Sequence, residues 1–317
     1  MRSKILSTGS YLPEKILTNK ELESMVDTTD EWIVQRSGIH ERHIAADDET
    51  TAMMGTQAAA AALEAAGLTG ADIDGIIVAT STPDHSFPSV AVKIQAKLGV
   101  KTGPAYDVQA VCSGFIYALS TADAMIKAGH GQRFLVVGAE KFSALLDWSD
   151  RTTCVLFGDG AGAVILEATK DDTTGILSSH LHADGRQHDL LYVDGGPSSK
   201  TCGTIKMQGR EVFKFAVNSM SGIVSEALEA NGMNADDIDW LVPHQANIRI
   251  IEATAEKLNM PMEQVIVTVQ KHGNTSAASI PLALDDAVRN EKIKRGDLIL
   301  FEALGGGLTW GAALARF

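Results

Sequence analysis

Of the three cysteines in the chain, Cys112 is the one placed for chemistry. Asp107–Ala110 reads as the end of a strand, and Ser113 opens an apolar helix. Cys112 therefore falls on a strand-to-helix turn at a helix N-terminus. Unpaired N–H groups and the positive end of the helix dipole stabilise a thiolate there. Such placement lowers a cysteine pKa from about 8.5 towards neutrality or below. A strained turn also projects the sulfur away from its sheet. Position alone leaves a second reading open, that of a small apolar residue at a tight turn. Cys154, in the strand-like run Thr152–Phe157, is most simply a core residue. Cys202 stands in a polar loop with no activating neighbour.

His244 directly follows an apolar strand, in Pro243–His244–Gln245–Ala246–Asn247. α/β sheets place their ligands at such strand ends, although a lone histidine there also reads as structural. Asn274 lies in the polar turn Lys271–Ser279, where asparagine is a common turn former. Gly305–Gly306–Gly307 follows another apolar strand. Three glycines permit close backbone approach, either for a tight turn or to offer an N–H as half of an oxyanion hole. The run Phe157–Gly162 is not a phosphate loop, because a strand rather than a helix follows it. A thiol, an imidazole and a carboxamide at the ends of adjoining strands are harder to dismiss together than singly.

An internal duplication supplies the scaffold that could bring them together. Residues 62–75 and 227–240 share eight of 14 identities at an offset of 165. The same offset pairs Lys127 with Lys292, Gly131 with Gly296, and the apolar run Phe134–Val137 with Ile299–Glu302, apolar until its last position. It also pairs Cys112 with Ala277, so a pseudo-twofold sets the cysteine turn against the turn carrying Asn274. The halves are 1–170 and 171–317. Thr18–Glu21 is a capping box and Asp30–Arg36 a short helix. Ser113–Lys127 is a buried helix, from apolar residues at helical spacing. Ile73–Ser81, Phe134–Gly138, Ala161–Leu166, Trp240–Pro243, Val265–Val269 and Leu298–Phe301 are near-continuous apolar strands, the kind buried on both faces. Asp184–Gly203 reads as a long polar surface loop. Two such units predict a layered α/β/α/β/α sandwich.

Composition narrows the function. With 317 residues, 45% hydrophobic and 21% charged, the chain can bury a large core. Three cysteines and no CxxC pair argue against a disulfide framework and a structural zinc site, and for a reducing compartment. No apolar run is long enough for a membrane span or signal peptide. Forty acidic against 27 basic residues give a net charge of −13, which disfavours nucleic acid as a partner.

The runs Asp107–Phe115, Val242–Asn247, His272–Ser279 and Glu302–Gly311 resemble those of the β-ketoacyl-[acyl-carrier-protein] synthase III family, and the likeness extends from Thr8–Gly9 to Phe317. The resemblance implies the thiolase fold. It implies condensation of an acyl-CoA primer, commonly acetyl-CoA, with malonyl-acyl carrier protein, starting type II fatty acid synthesis in the cytoplasm. No cofactor is implied beyond the CoA thioester substrate. Cys112 would carry the acyl group, with the N–H groups of Cys112 and Gly306 as oxyanion hole. His244 and Asn274 would donate to the malonyl thioester oxygen. Trp32 and Arg151 match the clamp on the CoA adenine, and Thr28, Arg36 and Asn247 match other CoA contacts. Lys214, Arg249 and Lys257 match the patch receiving the acidic carrier protein, with Ile248, Ile251, Ala255 and Leu258 turned inward on the same helix.

Phe87, Phe142, Phe157, Ile205 and Leu304 match the primer pocket, Phe87 being lent across a homodimer. Phe142 and Leu304 depart from the commoner Leu and Phe of that pocket, which leaves primer length open. Three rivals stand beside this reading. A thiolase would need a second cysteine near the glycine turn, and none is close in sequence. A specialised synthase or acyltransferase of secondary metabolism shares the Cys–His–Asn set. An acyl-CoA-binding regulator would need no nucleophile.

Overall fold

The computed structural model describes residues 1–317. The first half runs β1 (Arg2–Tyr11), β2 (Ile16–Thr18), α1 (Asn19–Leu22), α2 (Asp30–Ser37), β3 (Glu41–His43), α3 (Thr51–Ala66), β4 (Gly75–Ala79), α4 (Val90–Leu98), β5 (Ala105–Val108), α5 (Gly114–Lys127), β6 (Arg133–Lys141) and β7 (Asp159–Thr169). The second runs β8 (Gly175–Ala183), β9 (Leu191–Val193), β10 (Ile205–Met207), α6 (Gly209–Asn231), β11 (Trp240–Pro243), α7 (Ile248–Lys257), α8 (Val269–His272), α9 (Ser279–Arg289), β12 (Leu298–Gly305) and β13 (Thr309–Arg316).

Two mixed sheets result, with strand orders β1-β7-β6-β4-β5 and β8-β13-β12-β11. In each, the strands toward one edge run parallel (β5, β4 and β6; β11 and β12) and those toward the other pair antiparallel. Side chains alternate across each strand, so every sheet needs cover on both faces. On β6, Phe134 and Val136 enter a central core with α5 and α9, while Leu135, Val137 and Ala139 enter a core under α3 and α4. On β12, Ile299 and Phe301 reach the same central core from the other side, and Leu298 and Leu300 pack under α6 and α7. The layers are thus α3/α4, sheet, α5/α9, sheet, α6/α7, as the duplication predicts. No helix is long and apolar enough to cross a membrane.

The repeat extends to backbone detail. Gly67 and Gly232 end α3 and α6 in the left-handed region, at φ +64° and +63°. Capping boxes follow at Thr69–Asp72 and Asn234–Asp237. Val111 and Ser276, also 165 apart, are non-glycine residues at φ +47° and +49°. Residues forced into that region mark strained turns. Here both turns lead into the central helices α5 and α9.

Several elements differ from the sequence expectation. Thr152–Phe157 is a run of turns ending in a single bridge, not a strand, because Asp150 draws its backbone and hydroxyls into local hydrogen bonds. Val265–Val269 makes one bridge, Leu241 to Val265, and then turns into α8. Buried Gln245 satisfies the backbone there: its Oε1 accepts from the N–H groups of Thr268 and Val269 at 2.7 and 3.0 Å, and its amide donates to Pro243 and Ile266 carbonyls. The Asp184–Gly203 loop contains β9, which pairs with β10. Glu302, the one charged residue of its apolar run, is fully buried with neither carboxyl oxygen hydrogen-bonded. Burial pushes it up to about 8, so it sits neutral at ordinary pH.

Candidate active site

Cys112, His244 and Asn274 line one cavity of about 570 Å³, together with Trp32, Arg36, Asn247, Arg249, Phe157, Lys214 and Leu304. The three arrive from different elements. Cys112 follows the carboxyl end of β5 on the strained turn at Val111. His244 follows the carboxyl end of β11, its N–H donating to the Glu302 carbonyl at 2.8 Å. Asn274 is held by a parallel bridge to Phe157. The two 165-related turns pack on each other, and a Cβ at Gly138 on β6 would meet the Ala277 carbonyl at 2.2 Å. Only glycine allows that approach.

Hydrogen-bond bookkeeping assigns what each group presents. The Ser279 hydroxyl, on the first turn of α9, lies 2.6 Å from His244 Nδ1 and accepts the Gln245 N–H at 3.3 Å. Having accepted one N–H, it has its own proton to give, and Nδ1 is where it goes. The ring proton then resides on Nε2, which has no protein partner. Burial holds His244 down to about 3, so the imidazole is neutral through the working range. Asn274 Oδ1 accepts the Ser276 N–H at 2.9 Å, which leaves its NH₂ as the free end. Two neutral donors therefore face the cavity. Ser279 and Ser276 were not singled out in the sequence. The signal was present, since both belong to the polar turn duplicating the cysteine turn.

The glycine turn closes against the nucleophile. A Cβ at Gly305 would come within 2.7 Å of the Cys112 nitrogen, so any side chain there would push the strand end away. No backbone carbonyl takes the N–H of Cys112 or of Gly306. The thiol itself differs from expectation. Cys112 is 3% exposed, and burial pushes it up to about 12; a hydrogen bond from Ser276 acts the other way, and the charge of Glu140 adds to the rise. Burial thus opposes the lowering that a helix N-terminus brings.

At the cavity mouth, two guanidinium groups approach the Trp32 ring, Arg36 at 4.5 Å and Arg151 at 5.3 Å from its centroid. Arg151 also pairs with Asp27 at 3.2 Å. The Thr28 hydroxyl is buried without a partner. Asn247 caps α7 and donates to the Arg36 carbonyl at 2.8 Å, tying α7 to α2.

Phe142, Leu146, Phe157 and Ile205 form a buried cluster, with the Phe142 and Phe157 rings 5.1 Å apart. Phe157 and Leu304 line the cavity, while Phe142 and Ile205 stand behind Phe157. Phe87 is 85% exposed and does not line its own chain's cavity. On α7, Ile251, Ala255 and Leu258 are buried, Ile248 is half-buried, and Arg249 and Lys257 are exposed. Arg249 lies over Phe213. Lys214 pairs with Glu211, and Lys257 donates to the Val217 carbonyl, which leaves Arg249 the freest cation of the three.

Comparison with known proteins agrees with this geometry. Residues 228–317 match the family description "3-Oxoacyl-[acyl-carrier-protein (ACP)] synthase III C terminal", and residues 106–185 match "3-Oxoacyl-[acyl-carrier-protein (ACP)] synthase III". The beta-ketoacyl-[acyl-carrier-protein] synthase III of Paramagnetospirillum magneticum is 60% identical, covering 100% of this chain and 99% of its own. That of Sinorhizobium medicae is 61% identical over 100% of both. The crystal structure of 3-oxoacyl-[acyl-carrier-protein] synthase III from Aquifex aeolicus superposes with a TM-score of 0.95 at 53% identity, covering 99% of this chain and 100% of that one. A chain this similar over its whole length, with these motifs around one cavity, belongs to the β-ketoacyl-[acyl-carrier-protein] synthase III family of condensing acyltransferases.

Proposed function

We propose that this enzyme condenses a short acyl-CoA, acetyl-CoA in the first instance, with malonyl-acyl carrier protein, releasing CoA and CO₂ and giving the 3-oxoacyl-carrier protein that starts fatty acid synthesis. The observation that carries this is the meeting of Cys112, His244 and Asn274 on one cavity. Cys112 attacks the primer thioester and holds the acyl group while CoA leaves. The N–H groups of Cys112 and Gly306 take the developing oxyanion. In the second half-reaction His244 Nε2–H and the Asn274 amide donate to the malonyl thioester oxygen. Charge gathers on that oxygen as CO₂ departs. Decarboxylation makes the carbanion without removing a C–H proton, so neutral donors suffice and no strong base is required.

Half 1–170 contributes the nucleophile and half 171–317 the two donors. Trp32, Arg36, Arg151, Thr28 and Asn247 receive CoA. Arg249, with Lys214 and Lys257, receives the acidic carrier protein; in a chain of net charge −13 a local cationic rim steers that partner. Arg249→Ala is expected to raise the KM for malonyl-carrier protein about fivefold, as for a rim charge, with far less effect on acylation by acetyl-CoA. An unchanged KM would remove the docking role. Homodimer formation is supported by β5, an edge strand with one free side, and by exposed Phe87 on the segment beside it. Three unpaired cysteines support a reducing cytoplasm.

A primer panel tests the reading. With Phe157 lining the cavity and Phe142 packed behind it, acetyl-CoA is expected to outpace octanoyl-CoA by at least about tenfold in kcat/KM, since each excluded methylene in a closed pocket matters by about 1 kcal/mol or more. Preference for octanoyl-CoA would overturn the short-primer assignment. Transfer to a small-molecule acceptor but not to malonyl-carrier protein would favour the secondary-metabolic reading, which the 60% relatives do not favour.

A further inference from the structure

A buried carboxylate behind the primer pocket has no part in the mechanism above. Asp159 opens β7 opposite Lys141, the last residue of β6, and is fully buried. A charge taken out of water costs stability unless it is paired or hydrogen-bonded. Lys141 does not supply the pair, because its ammonium lies on the Ala46, Asp47 and Glu49 carbonyls at 2.6, 3.3 and 2.8 Å. Donors from two other segments hold the carboxylate. Its Oδ1 accepts the Ser143 N–H at 2.8 Å, and its Oδ2 accepts the Ser143 hydroxyl at 2.6 Å and the Ala45 N–H at 2.8 Å. Two of the three donors thus belong to one residue.

Ser143 follows Phe142 on the single helical turn Phe142–Leu145. On the other side of Phe142, the Lys141 N–H donates to the Thr82 hydroxyl at 2.9 Å. Side-chain hydrogen bonds therefore fix the backbone immediately before and after Phe142. The ring held in this way is buried against Phe157, centroids 5.1 Å apart, with Leu146 and Ile205 completing the cluster. Phe157 lines the cavity that Cys112 also lines, and its backbone is bridged to Asn274. Asp159 stands two residues after Phe157. One short stretch thus carries both the cavity wall and the carboxylate that fixes what stands behind the wall.

We propose that Asp159 and Ser143 are positioning residues for primer length: together they latch Phe142 behind Phe157 and so bar acyl chains much longer than acetyl. Close-packed side chains yield little room unless a neighbour can move. A wall two rings deep gives way only if the second ring can leave. The turn that carries this ring is weakly closed on itself, the Leu146 N–H reaching the Ser143 carbonyl at 3.4 Å. The Asp159 bonds are the shorter and stronger tie. With them broken, the turn shifts outward, Phe142 follows, and Phe157 rotates into the vacated space to admit further methylenes.

This inference rests on the short-primer reading above, and the test separates the two. The quantity measured is kcat/KM for octanoyl-CoA divided by kcat/KM for acetyl-CoA, with malonyl-carrier protein as acceptor. A loss of folded enzyme scales both values and cancels in the ratio, so a merely structural role does not move it. Ser143→Ala, which keeps the backbone N–H, is expected to raise the ratio at least about threefold, and Asp159→Asn about tenfold, the scale of a methylene or two gained in an apolar pocket. Ser143→Thr keeps the hydroxyl and is expected to keep the wild-type ratio. Phe142→Ala removes the ring and is expected to raise the ratio by about tenfold or more. Adding Ser143→Ala to Phe142→Ala should raise it no further, because the latch acts through that ring. Should Asp159→Asn not fold, Ser143→Ala carries the test. An unmoved ratio in folded Ser143→Ala, beside a raised one in Phe142→Ala, would overturn the latch and leave the pocket assignment standing. A wild type that already prefers octanoyl-CoA would overturn the short-primer reading instead.

Discussion

Cys112→Ala is expected to fold normally, take up no acetyl group from acetyl-CoA, and lose condensation by about 10⁴-fold or more, the scale seen when a covalent nucleophile is removed. Normal folding is expected because the duplicate position already carries alanine: Ala277 occupies the corresponding turn, 1% exposed, with the same left-handed residue before it. A folded variant that retained acetylation would place the nucleophile elsewhere. Cys154 is the poorer candidate, because it is fully buried among core side chains and does not line the cavity. Cys202 is exposed, on a segment that does not line the cavity. Acetyl incorporation into purified variant, by intact mass, decides the matter.

The second large effect separates the half-reactions. His244→Ala and Asn274→Ala are each expected to accept the acetyl group within a few-fold of the wild-type rate. Decarboxylation of malonyl-carrier protein should fall about 10²–10³-fold, the usual loss on removing one donor aimed at developing negative charge. The division follows from the proposed mechanism, in which the N–H groups of Cys112 and Gly306 would take the primer oxyanion and leave the side-chain donors for the other carbonyl. Because His244 is held neutral down to about 3, the decarboxylation step should show no limb near pH 6.5 from imidazole titration. Loss of acylation in both variants would contradict this division, as would a histidine limb near pH 6.5.

Much of this was legible in the residues themselves. The offset of 165 reached through to shared caps and shared strained turns, because a duplicated helix–turn–strand unit needs the same glycines and capping residues at the same places. Cys112 stood out on a strand-to-helix turn, His244 directly after an apolar strand, and Asn274 on the turn that duplicates the cysteine turn. What escaped was of two kinds. Buried polar groups that act on other polar groups carry no local pattern: Gln245, Ser279 and Glu140 satisfy partners as far as 136 residues away. The balance between opposing fields was also illegible. A helix N-terminus at Cys112 points to a lowered pKa, while enclosure between two turns and a glycine strand end pushes the other way. Thr152–Phe157 misled for a related reason, since β-branched residues that favour a strand were captured by the Asp150 side chain.

The account stands most directly on where an acyl group goes and when. Peptide mapping of wild-type enzyme mixed with acetyl-CoA alone, then chased with malonyl-carrier protein, measures both. Acetylation of Cys112 only, in the absence of the second substrate, followed by its discharge as 3-oxoacyl-carrier protein at the rate of turnover, is the predicted result. Product formed without a Cys112 adduct, or an adduct that malonyl-carrier protein does not discharge, would contradict it.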